Sequence, residues 1–309
     1  MTDGDLDLIA ERSAGSLQSL RISPSYFITA SGLLSFAKSC PNLVALHMTR
    51  CEYMTDRKLG EIVLVCPTLE DISVSRCWQI RGRKLHDKLR PVQKKLKRLD
   101  ISVTGVLNLQ MAKFMKGYPA LEVINAGDCH MLQEEYRRSD PSSSFPNLAY
   151  LNLDRTDFVA QTWLKLTCMT SKNLRFLSLN MLRSKIYRIE EILDVELPPL
   201  KYLGLAGQDI TDPMWQMIYE KLGKSLIQCD LSRNKSLSGA LVVRDGNFSV
   251  LECLSLRGTR ITSENLESLI NLAPRLKSLD LSGCRWVERA LRRTPFSFKE
   301  QASTKGGKQ

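Results

Sequence analysis

Four cysteines near the start of the chain have the clearest potential for chemistry. They lie in two near-copies, CPNLVALHMTRC (Cys40 to Cys51) and CPTLEDISVSRC (Cys66 to Cys77). Clustered thiolates bind zinc, but zinc motifs pair their ligands two to four residues apart. Here the spacings are 11, 15 and 11, and no CxxC occurs anywhere. Disulfides need an oxidising compartment. The N-terminus, MTDGDLDLIAERS, is acidic where a signal peptide is basic and then apolar, so the nine cysteines point to an intracellular, cytoplasmic and/or nuclear setting. Cys40 and Cys51 fall at opposite ends of one strand segment, too far apart to bridge. Cys51 and Cys77 are expected on adjacent strands about 5 Å apart, within disulfide reach, with the compartment arguing against the bond. The expectation is buried structural thiols and no metal.

Other catalytic constellations fail on inspection. The sequence Gly223–Ser225 (GKS) lacks the upstream glycine of a phosphate-binding loop, since Ile218 holds that place, and it runs from helix into strand where such a loop runs from strand into helix. Asp3–Asp7 mimics the start of a calcium loop, but Leu8 stands where the turn needs glycine. His47 is expected on the outer face of a strand, His86 in a basic helix and His130 in a turn. They group with no nucleophile, and no GxSxG occurs. The chain reads as a non-enzyme that needs no cofactor.

The cysteines make sense once the elements that hold them are identified. A pattern apolar-x-x-apolar-x-apolar begins at Leu17, Leu43, Leu69, Leu96, Leu121, Leu148, Leu174, Leu200, Leu226, Leu251 and Leu276, with spacings of 25 to 27 residues. Within a unit, Leu46 and Met48 alternate with His47, as a strand with one buried face requires. Between strands the period changes: Leu33, Phe36, Ala37 and Cys40 form one helical stripe. The stripe recurs as Leu59, Ile62, Val63, Cys66, then as Met111, Phe114, Met115, Tyr118. Trp215, Ile218, Tyr219, Leu222 and Leu266, Leu269, Ile270, Ala273 continue it. Each unit is a short strand, a loop and a helix, and only stacked units bury a continuous core. The one insertion, between Cys129 and Leu148, holds the Ser-rich stretch 139–144 and is expected as a surface loop.

This register resembles the cysteine-containing leucine-rich repeat, LxxLxLxxN/C, of F-box/LRR proteins, over roughly residues 5–290. Cys51, Cys77, Cys129 and Cys284 take the last motif position, and CPNL, CPTL, YPAL and FPNL mark the entry to the next unit. The resemblance implies an α/β solenoid of about 11 repeats, a horseshoe like that of ribonuclease inhibitor, with its parallel sheet concave and its helices convex. It further implies a domain over 1–290, followed by a basic, disordered tail over 291–309. In that family the repeats recruit a substrate protein, and a separate F-box docks on the adaptor of an SCF-type ubiquitin ligase. Here the first stripe (Leu6, Ile9, Ala10) leaves no room for an F-box, so the adaptor is a partner only if one exists upstream. The alternative is a stand-alone scaffold or inhibitor-type repeat protein without a link to ubiquitin.

Charge adds little. Residues 81–98 carry nine Lys/Arg against one Asp, and residues 285–309 carry seven against two Glu. Leu85, Leu89, Val92, Leu96 and Leu99 fit core positions, so the first cluster reads as a solvated face. It lacks the interleaved aromatics of a base-stacking surface. Neither nucleic acid nor membrane is expected as a partner. No run approaches the 18 apolar residues of a membrane span.

Binding is expected on the outward face of the sheet. Just before the second motif apolar stand Tyr150, Phe176 and Tyr202, an aromatic ladder about 10 Å long by strand spacing. Asp100, Asn125, Asn152 and Asp154 form a polar stretch beside it. Arg50, Arg76, Arg155 and Arg233 share a register with Asp128 between them, and Arg50 and Arg76 suit a carboxylate or phosphate.

Overall fold

A strand of three residues needs only one apolar side chain to hold it down, and this chain uses that economy throughout. In the computed structural model, which describes residues 1–22, 27–82, 84–106, 117–129, 145–156, 161–183, 189–241 and 248–288, most strands bury their central residue and turn its neighbours outward. His130, Met111 to Met115, the 139–144 stretch and the 291–309 tail lie outside the described residues.

The chain divides into two compact units. The first holds the described residues up to Leu174, with Leu182 and Arg183, and the second holds Arg175–Met181 and the residues from Ile189 onward. In the first, strands β1 (Ser19–Ile22), β2 (Ala45–Met48), β3 (Asp71–Ser73), β4 (Arg98–Asp100), β5 (Val123–Asn125) and β6 (Tyr150–Asn152) pair in parallel in chain order. In the second, β7 (Phe176–Ser178), β8 (Tyr202–Gly204), β9 (Gln228–Asp230), β10 (Cys253–Ser255) and β11 (Ser278–Asp280) do the same. Every pair joins equivalent residues of successive repeats, so the leucine register and the strand register are one.

The connecting helices include α1 (Asp3–Ser13), α2 (Ala30–Ser39), α3 (Asp56–Val65) and the short α4 (Leu85–Lys88) in the first unit, together with α5 (Gln161–Thr170). The second has α6 (Ile189–Asp194), α7 (Asp212–Leu222) and α8 (Ser263–Leu272). Their stripes are buried as the spacing predicts: Leu33, Phe36 and Ala37 on α2, Leu59, Ile62 and Val63 on α3, Trp215, Ile218, Tyr219 and Leu222 on α7. Each such side chain contributes about 1.5–3 kcal/mol on leaving water. Phe248 fills the second core, its ring centroid 5.0 Å from Trp215 and 5.1 Å from Tyr219. In the 81–98 segment Leu85, Leu89, Val92, Leu96 and Leu99 are buried while its described lysines and arginines are exposed. No helix among the described residues is long and apolar enough to cross a membrane.

A threonine N-cap starts several helices. The Oγ1 of Thr29, Thr55 and Thr262 accepts the backbone N–H of Gly32, Lys58 and Asn265 at 3.0, 3.3 and 3.2 Å, satisfying one of the donors that a helix start leaves orphaned. Thr2 and Thr211 cap α1 and α7, and where an aspartate follows the cap threonine, as after Thr2, Thr55 and Thr211, it reaches forward one repeat. Asp3 accepts from Thr29 N and Oγ1, Asp56 from the N–H groups of Arg81 and Gly82, and Asp212 from those of Ser238 and Gly239.

The last motif position reaches backward. As the chain leaves the strand it buries a carbonyl that no strand partner takes. The Cys129 thiol donates to Ile101 O at 3.2 Å, and Thr104 Oγ1 donates to the same oxygen at 2.7 Å. Cys284 and Thr259 share Leu256 O in the same way, at 3.0 and 2.7 Å, while Cys77 points at Met48 O from 3.8 Å. Asn234 does most: its Nδ2 donates to Leu205 O and Leu231 O, and its Oδ1 accepts from the N–H groups of Gln208 and Ile210. Asn234→Ala would strand those buried groups, at about 1–3 kcal/mol apiece when nothing replaces the partner. A loss of at least about 3 kcal/mol in urea unfolding is expected, with Cys129→Ala well below it.

The turn itself demands a left-handed residue. Arg50, Arg76, Val103, Asp128 and Arg155 in the first unit, and Met181, Gly207, Arg233, Gly258 and Gly283 in the second, have φ between 53° and 76°. Only glycine takes this conformation without steric cost, and a β-branched residue is the worst choice. Val103→Gly is therefore expected to stabilise by up to about 1 kcal/mol, and Gly258→Ala to destabilise by about 1–2 kcal/mol. Paired denaturation curves of opposite sign would check this.

Candidate functional site

Alternation puts two rows of side chains on the solvent face of each sheet. In the first unit the leading row is Ala45, Asp71, Arg98, Val123 and Tyr150, and the second is His47, Ser73, Asp100, Asn125 and Asn152. In the other unit they are Phe176, Tyr202, Gln228, Cys253, Ser278 and Asp230, Ser255, Asp280, the second row being closed at β7 and β8 by the buried Ser178 and by Gly204.

The first-unit rows line a depression of about 560 Å³ that includes Arg21, His47, Asp71, Arg98, Asn125 and Tyr150. Asp71 is its hub. One carboxylate oxygen lies 3.0 Å from His47 Nε2, and the other 3.5 Å from Arg98 Nε. The His47 contact is close but off-line, so Nε2 makes no well-directed hydrogen bond. Sequence reasoning placed His47 on this face but missed its joining with Asp71 and Arg98. The missing signal was diagonal: Asp71 and Arg98 are register partners, while His47 sits one pleat further along the preceding strand.

The polar stretch partly serves the backbone. Asp100 Oδ1 accepts from Ser102 N and Oγ at 2.9 and 2.7 Å, and Oδ2 from Ser73 Oγ at 3.2 Å. Asn125 Oδ1 takes Gly127 N, and Asn152 Oδ1 takes Asp154 N. Asp230 and Asp280 repeat the device on Ser232 and Ser282. These are Asx turns, in which a side chain imitates the next backbone carbonyl. They hold the acids and amides in fixed orientations on a wet surface.

In the second unit Phe176 and Tyr202 stack face to face, with centroids 4.1 Å apart and planes inclined by 8°. Tyr202 also borders a smaller depression of about 220 Å³ with Gln228, Asp230, Cys253 and Asp280. Tyr150, the remaining member of the expected ladder, belongs to the first unit and lines its depression. Arg50 and Arg76 stand beyond the ends of β2 and β3, at the left-handed turn rather than on the strands. Arg155, at the same register, pairs with Asp128 at 3.4 Å.

All nine thiols are free, and all but the half-buried Cys253 are buried. Burial pushes the Cys66 and Cys129 thiols up to about 11 and Cys168 to about 12, and the hydrogen bond with Cys51 plus burial push Cys77 up as well. Protonated thiols are neither nucleophiles nor good ligands at neutral pH, and in the Cys51–Cys77 pair the shared hydrogen bond lowers Cys51 as it raises Cys77. Among the described residues no group of three His, Cys, Asp or Glu could hold a metal ion.

Comparison with known proteins agrees on architecture. No family model and no curated protein matches the chain. Among solved structures, a chain of the Rad7 and Elc1 complex in yeast matches with a TM-score of 0.55 at 15% identity, covering 96% of this chain and 83% of that one. The leucine-rich repeat domain of APL1B matches with a TM-score of 0.45 at 14% identity, covering 87% and 82%. This is a leucine-rich repeat fold. Its outward rows make up the solvent face of each unit.

Asp100→Ala removes three hydrogen bonds from the middle of that face. A loss of about 1–2 kcal/mol is expected, and Asp100→Asn, which keeps an acceptor, should recover part of it in the same denaturation assay.

Proposed function

We propose that this chain is a substrate-recognition module that binds a protein partner on the solvent face of its sheet, in the service of an SCF-type ubiquitin ligase inside the cell. The observation that carries the binding half is the Phe176–Tyr202 stack: two aromatic rings held parallel on a face otherwise made of fixed polar groups. Rigid aromatics surrounded by oriented hydrogen-bonding groups resemble the anchor and rim of a protein interface. In the first unit Tyr150, Asn125, Asn152 and Asp154 stand on that unit's own solvent face. The ligase half rests on the resemblance of the cysteine-ended register to F-box/LRR proteins. A structural neighbour solved as a two-protein complex, Rad7 with Elc1, supports a role in protein assembly.

Two measurements separate the halves. Tagged gene product immunoprecipitated from cells should bring down an F-box adaptor and a cullin; failure to recover either sinks the ligase role and leaves the stand-alone scaffold reading. For the partner so captured, Phe176→Ala and Tyr202→Ala should each weaken binding by about tenfold or more with an unchanged unfolding midpoint of the rest of the chain. Unchanged affinity removes the stack from the interface.

A further inference from the structure

A second surface lies off the sheet, on the loops that carry the chain from strand to helix in the first unit. Phe27, Tyr53 and Trp78 stand there in three consecutive repeats and are 71%, 59% and 50% exposed. Each rides just ahead of a buried apolar residue of its loop: Ile28, Met54 and Ile80 are at most 2% exposed. The anchors fix the loop and leave the rings in water. Burying a ring of this size is worth about 1.5–3 kcal/mol, and the three rings form an apolar row left uncovered by the described residues.

The ridge is flanked by arginines. Arg50, Arg76 and Arg81 are exposed and have no carboxylate partner among the described residues. Elsewhere Arg57, Lys58, Lys97, Arg98, Arg155 and Lys277 each face an Asp or Glu within 3.5 Å. Glu52 is the exposed acid on this edge, and Asp56 is already taken by the backbone of Arg81 and Gly82. Arg50 and Arg76 hold left-handed turn positions, with φ of 56° and 60°, where glycine would cost the backbone less. Their amides are locked to Ser75 O and Ser102 O of the next repeat.

We propose that this edge binds an acidic segment of a partner protein, with apolar side chains of the segment seated on Phe27, Tyr53 and Trp78 and its carboxylates on Arg50, Arg76 and Arg81. All three cations are arginine, whose planar fork suits carboxylates. Consecutive repeats advance by about 5 Å, so the ridge spans the length of about three extended residues. That is narrow for a membrane and fitting for a peptide.

The test uses the full chain and fluorescein-labelled synthetic peptides that alternate Glu with Phe or Leu, compared with versions carrying Lys for Glu and Ala for the apolar residues. Tight binding is expected only for the acidic, apolar peptide, weakening with salt. Trp78→Ala or Tyr53→Ala should lower affinity by about tenfold. Arg50→Gly with Arg76→Gly should do the same while leaving the unfolding midpoint equal or higher, which excludes a folding defect. Equal binding of the Lys version, no effect of these variants, or capture of phosphatidylserine vesicles that the peptide does not displace would each overturn the proposal. Loss of peptide binding in Tyr202→Ala would overturn it too, because that places the peptide on the sheet face. Since Tyr202 and Phe176 are untouched by the edge variants, this surface and the sheet face can fail independently.

Discussion

A carbonyl left behind when a very short strand turns away governs much of this molecule. Three-residue strands spend few hydrogen bonds on themselves, and the turn that follows buries an acceptor against the next repeat. A buried acceptor without a donor costs more than a typical hydrogen bond returns. In most repeats the position three residues on carries a small side chain with a proton to give, beside a backbone N–H such as that of Thr259 to Leu256 O at 3.1 Å, whereas Leu182 stands there after β7. Cysteine, threonine and asparagine meet that demand here, at Cys129, Thr104, Thr259, Cys284 and Asn234. The thiols that first suggest metal chemistry are in this light weak donors chosen for size and burial.

That constraint also explains how far the sequence could be read. The leucine period translates directly into strand register, because each repeat must present the same face to its neighbour. The Thr-Asp pairs at 2–3, 55–56 and 211–212 recur in the sequence, but their two tasks, cap and forward bridge, depend on where the next loop passes. Asn234 sits at the motif's asparagine position, yet nothing in its own repeat announces four bonds to two repeats. The left-handed turn was the least legible feature. Glycine at 207, 258 and 283 hints at it, whereas Arg50 and Arg76 at the same register read as surface charge. The His47–Asp71–Arg98 contact was hidden for another reason: it is diagonal across three strands, and a linear register orders rows, not diagonals.

The solvent face divides its work between backbone and partner. Its second row is largely spent on Asx turns, so Asp100, Asn125, Asn152, Asp230 and Asp280 cannot be changed freely without loosening the exit of their strands. The leading row has no such duty. Its composition shifts from Asp71 and Arg98 to Phe176 and Tyr202 while the backbone beneath stays the same. Variation of surface chemistry on an invariant frame is what a repeat fold offers a binding protein.

The forward bridges from Asp3, Asp56 and Asp212 and the backward bridges from Cys77, Cys129, Asn234 and Cys284 give the chain a polarity of assembly. Such a repeat contributes its aspartate to the unit ahead or its thiol or amide to the unit behind, so neither group finds its partner until the neighbour has docked. Where both occur, as with Asp56 and Cys77 or Asp212 and Asn234, docking of the next repeat closes two clasps at one seam, and its loss opens both at once, in the manner of a zip whose teeth are cut on both tapes. The response to local damage should then be fraying from the nearest end rather than a hole in the middle, because an interior repeat is gripped from both sides.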